Sequence, residues 1–148
     1  MKLWRISNYA DLTGLGGLRY SGRWHSKGRP IIYTADHPAG ALVESLVHFD
    51  LDNIPERYQL ITIDIDDGAS IAVIEPNKLP PNWVAGAGIS RSVGDAWLAA
   101  ATSLLLRVPS AIIPDAWNVL INPGHPEATR MRIAKTEKVP LDGRLARR

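Results

Sequence analysis

Pro30-Ile31-Ile32-Tyr33-Thr34-Ala35, followed by Asp36-His37-Pro38-Ala39-Gly40-Ala41-Leu42-Val43-Glu44-Ser45-Leu46-Val47-His48-Phe49, reads as a strand running into a helix. Residues 30–34 are continuously apolar on entry, the pattern of a buried strand. Asp36 suits the N-cap of the helix that follows. Pro38 falls in its first turn, where a missing N–H costs little. The helix is predicted over 38–49, with Ala41, Leu42, Ser45, Leu46 and Phe49 along its apolar stripe. Glu44 lies at the border of that stripe, among small and apolar neighbours.

Upstream, Lys2 to Ile6 alternates as a first strand, and residues 11–22, with Gly14, Gly16, Gly17 and Gly22, read as a loop. The glycine order does not fit a dinucleotide fingerprint, because a strand rather than a helix follows it. Downstream, Arg57 to Asp66 reads as a strand, Asp67-Gly68 as a turn, and Ala69 to Ile74 as the returning hairpin arm. Residues 75–90 read as a long surface loop. Ser92 and Asp95 are expected to open the longest helix, over 93–106, which Pro109 ends; the apolar run from Ala96 to Leu106 lies inside it. Short strands are expected at Ala111–Ile113 and Val119–Ile121, and another at 130–135. The predicted fold is α+β: residues 1–148 form one domain around a mixed, mostly antiparallel sheet.

The composition narrows the function classes. A chain of 148 residues with 45% hydrophobic and 22% charged residues is an ordinary soluble globular domain. No apolar run reaches about 18 residues, so no membrane span is expected. The absence of cysteine removes disulfides and thiolate metal sites. With no apolar leader, it points to a cytoplasmic protein. The net charge is only +2, and the basic residues are dispersed. Lys138, Arg144, Arg147 and Arg148 read as a solvated tail rather than a nucleic-acid arm, so no direct nucleic-acid binding is expected. His25, His37, His48 and His125 lack metal-ligand spacing, and no metal is expected.

Several residues carry possible chemistry. Arg23, between Gly22 and Trp24, is either a fork for a pyrophosphate or a surface arginine stacked on Trp24. Tyr33 is a pocket ring or a core tyrosine with its hydroxyl satisfied locally. Glu44 is a carboxylate placed to stabilise an oxocarbenium-like charge, or simply a helix-edge side chain. Ser110 begins a segment after Pro109, without the elbow motif of a hydrolase nucleophile. Asn122 and His125 flank Pro123-Gly124 in a rigid turn, where they serve either a ligand or the loop backbone.

Five motifs occur in one order: Gly22-Arg23-Trp24-His25-Ser26-Lys27-Gly28, Ile32-Tyr33-Thr34-Ala35, Leu42-Val43-Glu44-Ser45-Leu46-Val47-His48, Val108-Pro109-Ser110-Ala111 and Asn118-Val119-Leu120-Ile121-Asn122-Pro123-Gly124-His125-Pro126. Together with Leu3-Trp4-Arg5, Gly94-Asp95-Ala96-Trp97-Leu98 and the stretch from Leu141 to Leu145, this order resembles RES-domain proteins. These are the toxin halves of bacterial Xre–RES type II toxin–antitoxin pairs. His25 stands where that family often has Asn, and Gly143 where a proline is common.

The resemblance implies a fold related to ADP-ribosyltransferases and an enzyme that consumes NAD as substrate, with no cofactor required. It implies an NAD-cleaving glycosyltransferase that breaks the nicotinamide–ribose bond and arrests growth. By the same resemblance Arg23, Glu44 and Ser110 are the catalytic set. Tyr33, Asn122, His125 and Arg5 join Arg23 and Ser110 as NAD-binding candidates. The implied partner is an Xre-type helix-turn-helix antitoxin, in a higher-order hetero-oligomer, with Trp83 in the long loop a candidate contact. Protein ADP-ribosylation is the alternative within the enzyme class. An RNA-targeting toxin, suggested by a pI near 9.1, and a non-catalytic binding module are the readings outside it.

Overall fold

A computed structural model describes residues 1–146; Arg147 and Arg148 of the expected basic tail lie outside the described residues. Seven strands form one sheet in the order β4-β5-β6-β2-β1-β3-β7. They are β1 (Lys2–Ile6), β2 (Ile32–Ala35), β3 (Arg57–Ile65), β4 (Ile71–Val73), β5 (Leu105–Pro109), β6 (Trp117–Ile121) and β7 (Met131–Pro140). Three helices accompany them: α1 (Gly16–Arg19), α2 (Pro38–Leu46) and α3 (Gly88–Ala100). Every pairing is antiparallel except that of β4 with β5. The α+β class and the mostly antiparallel mixed sheet are therefore as expected.

The apolar residues divide by strand alternation between two faces. Leu3, Ile32, Ile61, Ile63, Leu105, Val119 and Ile121 make one cluster. Leu106, Val108 and Leu120 point the other way, against Trp24, Trp83 and Trp97. Neighbours such as Leu105/Leu106 and Val119/Leu120 are buried on opposite faces, which is why the central strands read as unbroken apolar runs. β1 and β2 share a single registered pair, Trp4 opposite Ala35. Beyond it the two strands lose their ladder, and a cavity opens at that point.

Several boundaries differ from those expected. The N-cap of α2 is His37, whose Nδ1 accepts from the Ala39 N–H at 3.1 Å. Asp36 lies outside the helix, its carboxylate 3.8 Å from Arg107. The helix stops at Leu46 rather than Phe49, because His48 and Phe49 close tighter bonds to the Ser45 and Leu46 carbonyls. Residues 16–19 of the expected loop form α1.

The expected helix over 93–106 is two elements. α3 begins earlier, at Gly88, and ends where Ala101 takes a left-handed conformation, φ 50°. Ser103 then accepts the Trp97 indole N–H at 2.9 Å and donates to the Leu105 carbonyl at 2.8 Å, fastening the helix end to β5. Pro109 closes a strand, not a helix. An apolar run of this length fits either state, and the sheet's need for a strand buried on both faces decides it.

Ala69 to Ile74 is not a hairpin arm of β3. That edge of β3 is occupied along its length by β7, from Arg57 opposite Pro140 to Ile65 opposite Met131. Glu127 instead accepts from both the N–H and the hydroxyl of Ser70, and the chain runs to the far edge of the sheet as β4, parallel to β5. Residues 111–113 are a turn rather than a strand, and the strand expected over 130–135 extends to Pro140. Trp83 is buried, 5.5 Å ring to ring from Trp24. It is therefore core, not an exposed contact for a partner.

Candidate active site

The cavity at the β1–β2 divergence has a volume of about 830 Å³. Its walls include Trp4, Arg5, Tyr20, Arg23, Tyr33, Glu44, His48, Arg91 and Asn118. Arg23, Tyr33, Glu44 and Arg5 of the expected set are thus brought together from β1, the turn before β2, β2 itself and α2.

Arg23 sits in a tight turn closed by the Gly22 N–H on the His25 carbonyl at 3.0 Å. One terminal nitrogen, Nη1, donates to the carbonyls of Val84 and Gly86, both at 3.2 Å. The guanidinium lies 6.0 Å from the centroid of Trp83, not against Trp24. Among the described residues Nε and Nη2 make no hydrogen bond, leaving a donor pair for an anion. Arg91, on α3, donates from Nε to the Gly22 carbonyl at 2.8 Å and shares the wall. Burial lowers the Arg5 guanidinium from its ordinary value, with Asp11 opposing. Its side chain makes no hydrogen bond among the described residues. These arginines line one cavity, a field suited to a polyanionic ligand.

Glu44 is held from one side. Its Oε1 accepts from the Ser110 hydroxyl at 2.6 Å and from the Asn118 amide at 2.9 Å. Ser110 Oγ in turn accepts the N–H groups of Ile112 and Ile113, each at 3.1 Å. Both lone pairs of that oxygen are occupied and its hydrogen is given to Glu44, a geometry that orients the carboxylate and leaves the hydroxyl oxygen no free lone pair. Glu44 Oε2 makes no hydrogen bond among the described residues. Ser110 itself lines a neighbouring cavity of about 410 Å³ with Trp83 and Trp117; Ala111 and Ile112 line both spaces.

Tyr33 lines the cavity, and burial pushes its hydroxyl up to about 12. Asn122 and His125 are placed elsewhere. Asn122 accepts from the Gly124 N–H at 3.0 Å, and His125 Nδ1 caps the short turn Pro126–Arg130 through the Glu127 N–H at 3.0 Å. Neither lines the cavity.

Asn118 and Arg91 are the residues that sequence reasoning missed. Asn118 stands inside a quoted motif, and the alternation of β6 places it on the face of Leu120, whereas Asn122, of the same parity, lies past the strand's end in the turn. That alternation was the available signal. Arg91 gave none, since its position depends on how α3 crosses the turn around Arg23. Among the described residues, no group of three or more acidic or histidine side chains is placed to hold a metal ion. No described helix is long and apolar enough to cross a membrane.

A family model described as RES domain matches residues 2–142. The chain is 46% identical over 147 residues to "Toxin Res" of Pseudomonas putida, covering 98% of this chain and 99% of that one. It is 36% identical over 155 residues to the "Prs ADP-ribosylating toxin" of Sphingobium sp., covering 98% and 96%. Among solved structures, the M. tuberculosis MbcT–MbcA toxin–antitoxin complex contains a chain of the same fold. Its TM-score is 0.75 at 20% identity, over 98% of this chain and 86% of that one.

Proposed function

The chain belongs to the RES-domain family, and from that premise we propose that it is a toxin that cleaves the nicotinamide–ribose bond of NAD and so arrests growth. The observation that carries this reading is Glu44. One carboxylate oxygen is fixed by two donors and the other is open, in a cavity whose walls also carry Arg5, Arg23 and Arg91. NAD offers what this cavity complements: a pyrophosphate for the arginines, a flat ring for Tyr33 and Trp4, and a ribose that becomes cationic. As the C–N bond breaks, its electron pair leaves with neutral nicotinamide and positive charge develops on the ribose. Glu44 Oε2 stabilises that charge because it is already oriented and owes no hydrogen bond elsewhere. Water or phosphate then attacks the anomeric carbon. No cofactor takes part.

A second reading is transfer of ADP-ribose to a protein, favoured by the name of the Sphingobium relative. Purified chain incubated with labelled NAD, with and without phosphate and with added cell protein, tests both. Free ADP-ribose or its 1″-phosphate supports hydrolysis or phosphorolysis, and label on protein supports transfer. NAD that stays intact in all mixtures refutes the proposal. The MbcT–MbcA complex also supports an antitoxin partner. Following the family resemblance, that partner is taken to be an Xre-type helix-turn-helix protein covering the cavity in a hetero-oligomer, with the pair located in the cytoplasm.

The roles of Ser110 and Asn118 yield a separate expectation. Ser110→Ala and Asn118→Ala each remove one donor to Glu44 Oε1, and each lowers kcat about tenfold or more, since a hydrogen bond to a charged group contributes about 1.5–3 kcal/mol. The double variant falls short of additivity, because the two donors restrain the same oxygen. Steady-state NAD loss measures this, and a kcat unchanged in both single variants contradicts the assigned role.

A further inference from the structure

His25 is 3% exposed, packed between α1 and β2. Its Nε2 lies 3.3 Å from the Gly17 carbonyl oxygen and its Nδ1 lies 2.7 Å from the Tyr33 hydroxyl. A carbonyl can only accept, so Nε2 carries the hydrogen and Nδ1 is the acceptor. The Tyr33 hydroxyl therefore donates to Nδ1, while its oxygen accepts the Trp24 N–H at 3.1 Å. One directed chain results: Trp24 N–H to Tyr33 Oη, Tyr33 O–H to His25 Nδ1, His25 Nε2–H to Gly17. Gly22 closes the remaining side, where a Cβ would collide with the Tyr33 hydroxyl. The hydroxyl thus faces the turn that bears Arg23, and only the ring is left to the ligand.

We propose that His25 is a positioning residue: by accepting from Tyr33 it fixes the hydroxyl that holds the Trp24 amide, and thereby sets Arg23 in the cavity wall. The kinetic part of this proposal rests on the NAD reading. The arrangement requires neutral imidazole. A proton on Nδ1 would confront the Tyr33 O–H and turn that hydrogen away from its one acceptor among the described residues. Among the described residues, the charged and titratable groups facing the imidazole are Tyr33 from β2 and Asp95 and Arg91 from α3. Asp95 is already engaged by the N–H and hydroxyl of Ser26 at 2.8 and 2.6 Å and lies 3.5 Å from Arg29. Desolvation lowers the imidazole from its ordinary value, with Gly17 and Tyr20 backbone contacts opposing. The proton therefore arrives only as pH falls below about 6.5, and the turn loosens on that acid side.

The test uses the full chain in two arms. In the first, without NAD, nitrogen-detected NMR of the imidazole is expected to show the Nε2–H tautomer. The Trp24 amide is expected to shift together with His25 protonation at a midpoint below 6.5. In the second, His25→Leu and Tyr33→Phe are expected to raise KM for NAD about tenfold with kcat changed less than about threefold, since Arg23 acts on binding. His25→Asn, whose Oδ1 can accept and Nδ2 donate, is expected to recover most of the KM and lose the acid-side rise. An Nδ1–H tautomer, a Trp24 amide indifferent to His25, or a His25→Leu KM equal to wild type overturns the proposal. A wild type that leaves NAD intact overturns the NAD reading instead, and the first arm alone then decides the positioning chain.

Discussion

On the proposed NAD-cleaving reaction, Glu44→Gln is expected to reduce kcat for NAD loss by about 10³-fold or more, about 4 kcal/mol of transition-state stabilisation, while KM stays within about threefold. The isosteric amide can keep its oxygen in the place of Oε1, where Ser110 and Asn118 donate. Packing and loop geometry are thus preserved, and the thermal midpoint moves by no more than about 3 °C, the scale of about 1 kcal/mol in a chain of this size. What changes is the far side of the group. The open oxygen becomes an NH₂ that donates rather than accepts, and the negative charge is gone. A group whose value lies in facing a developing cation loses most of that value when neutral. Steady-state kinetics beside a melting curve separates chemistry from folding, and a variant with wild-type turnover would remove Glu44 from the mechanism.

Gly94→Ala has its effect on the fold. At Gly94, α3 crosses the turn carrying Arg23, and a Cβ there would fall inside the Trp24 carbonyl and 3.2 Å from the Trp24 Cβ. Backbone meets backbone, so no side-chain rotation relieves the overlap. The helix must lift from the turn, straining the neighbouring bonds of Asp95 to Ser26 and of the Ser90 hydroxyl to the Arg23 carbonyl. The expected loss in urea unfolding is about 3 kcal/mol or more, with NAD binding weakened as Arg23 is displaced. Gly88→Ala is the matched control, since a Cβ there meets nothing within 4 Å. It is expected to gain about 0.5–1 kcal/mol from reduced chain entropy. If Gly94→Ala unfolds within about 1 kcal/mol of the parent, the crossing is not as close as the structure has it.

Gly94 also shows what a motif conceals. Its place in Gly94-Asp95-Ala96-Trp97-Leu98 was visible in the sequence, but not its reason. The glycine lets the helix touch Trp24, Asp95 caps Ser26, and Trp97 reaches Ser103. Each contact joins residues distant in the chain or across an element boundary, and no local pattern encodes them.

The sequence alone determined the strand-to-helix unit around Tyr33 and Glu44, the α+β class, and β1 and β3. Those features rest on alternation and helical spacing, which are properties of neighbouring residues. Only the tertiary structure decided that residues 96–106 divide between helix and strand, because an apolar run satisfies either until the sheet supplies partners on both sides. It alone moved residues 71–73 from β3 to β5, since an edge of β3 can be filled once and β7 fills it. It also seated Asn118 and Arg91 in the cavity wall and placed Asn122 and His125 away from it. A site is a set of side chains meeting across elements, and such meetings are fixed by register and crossing geometry rather than by sequence distance.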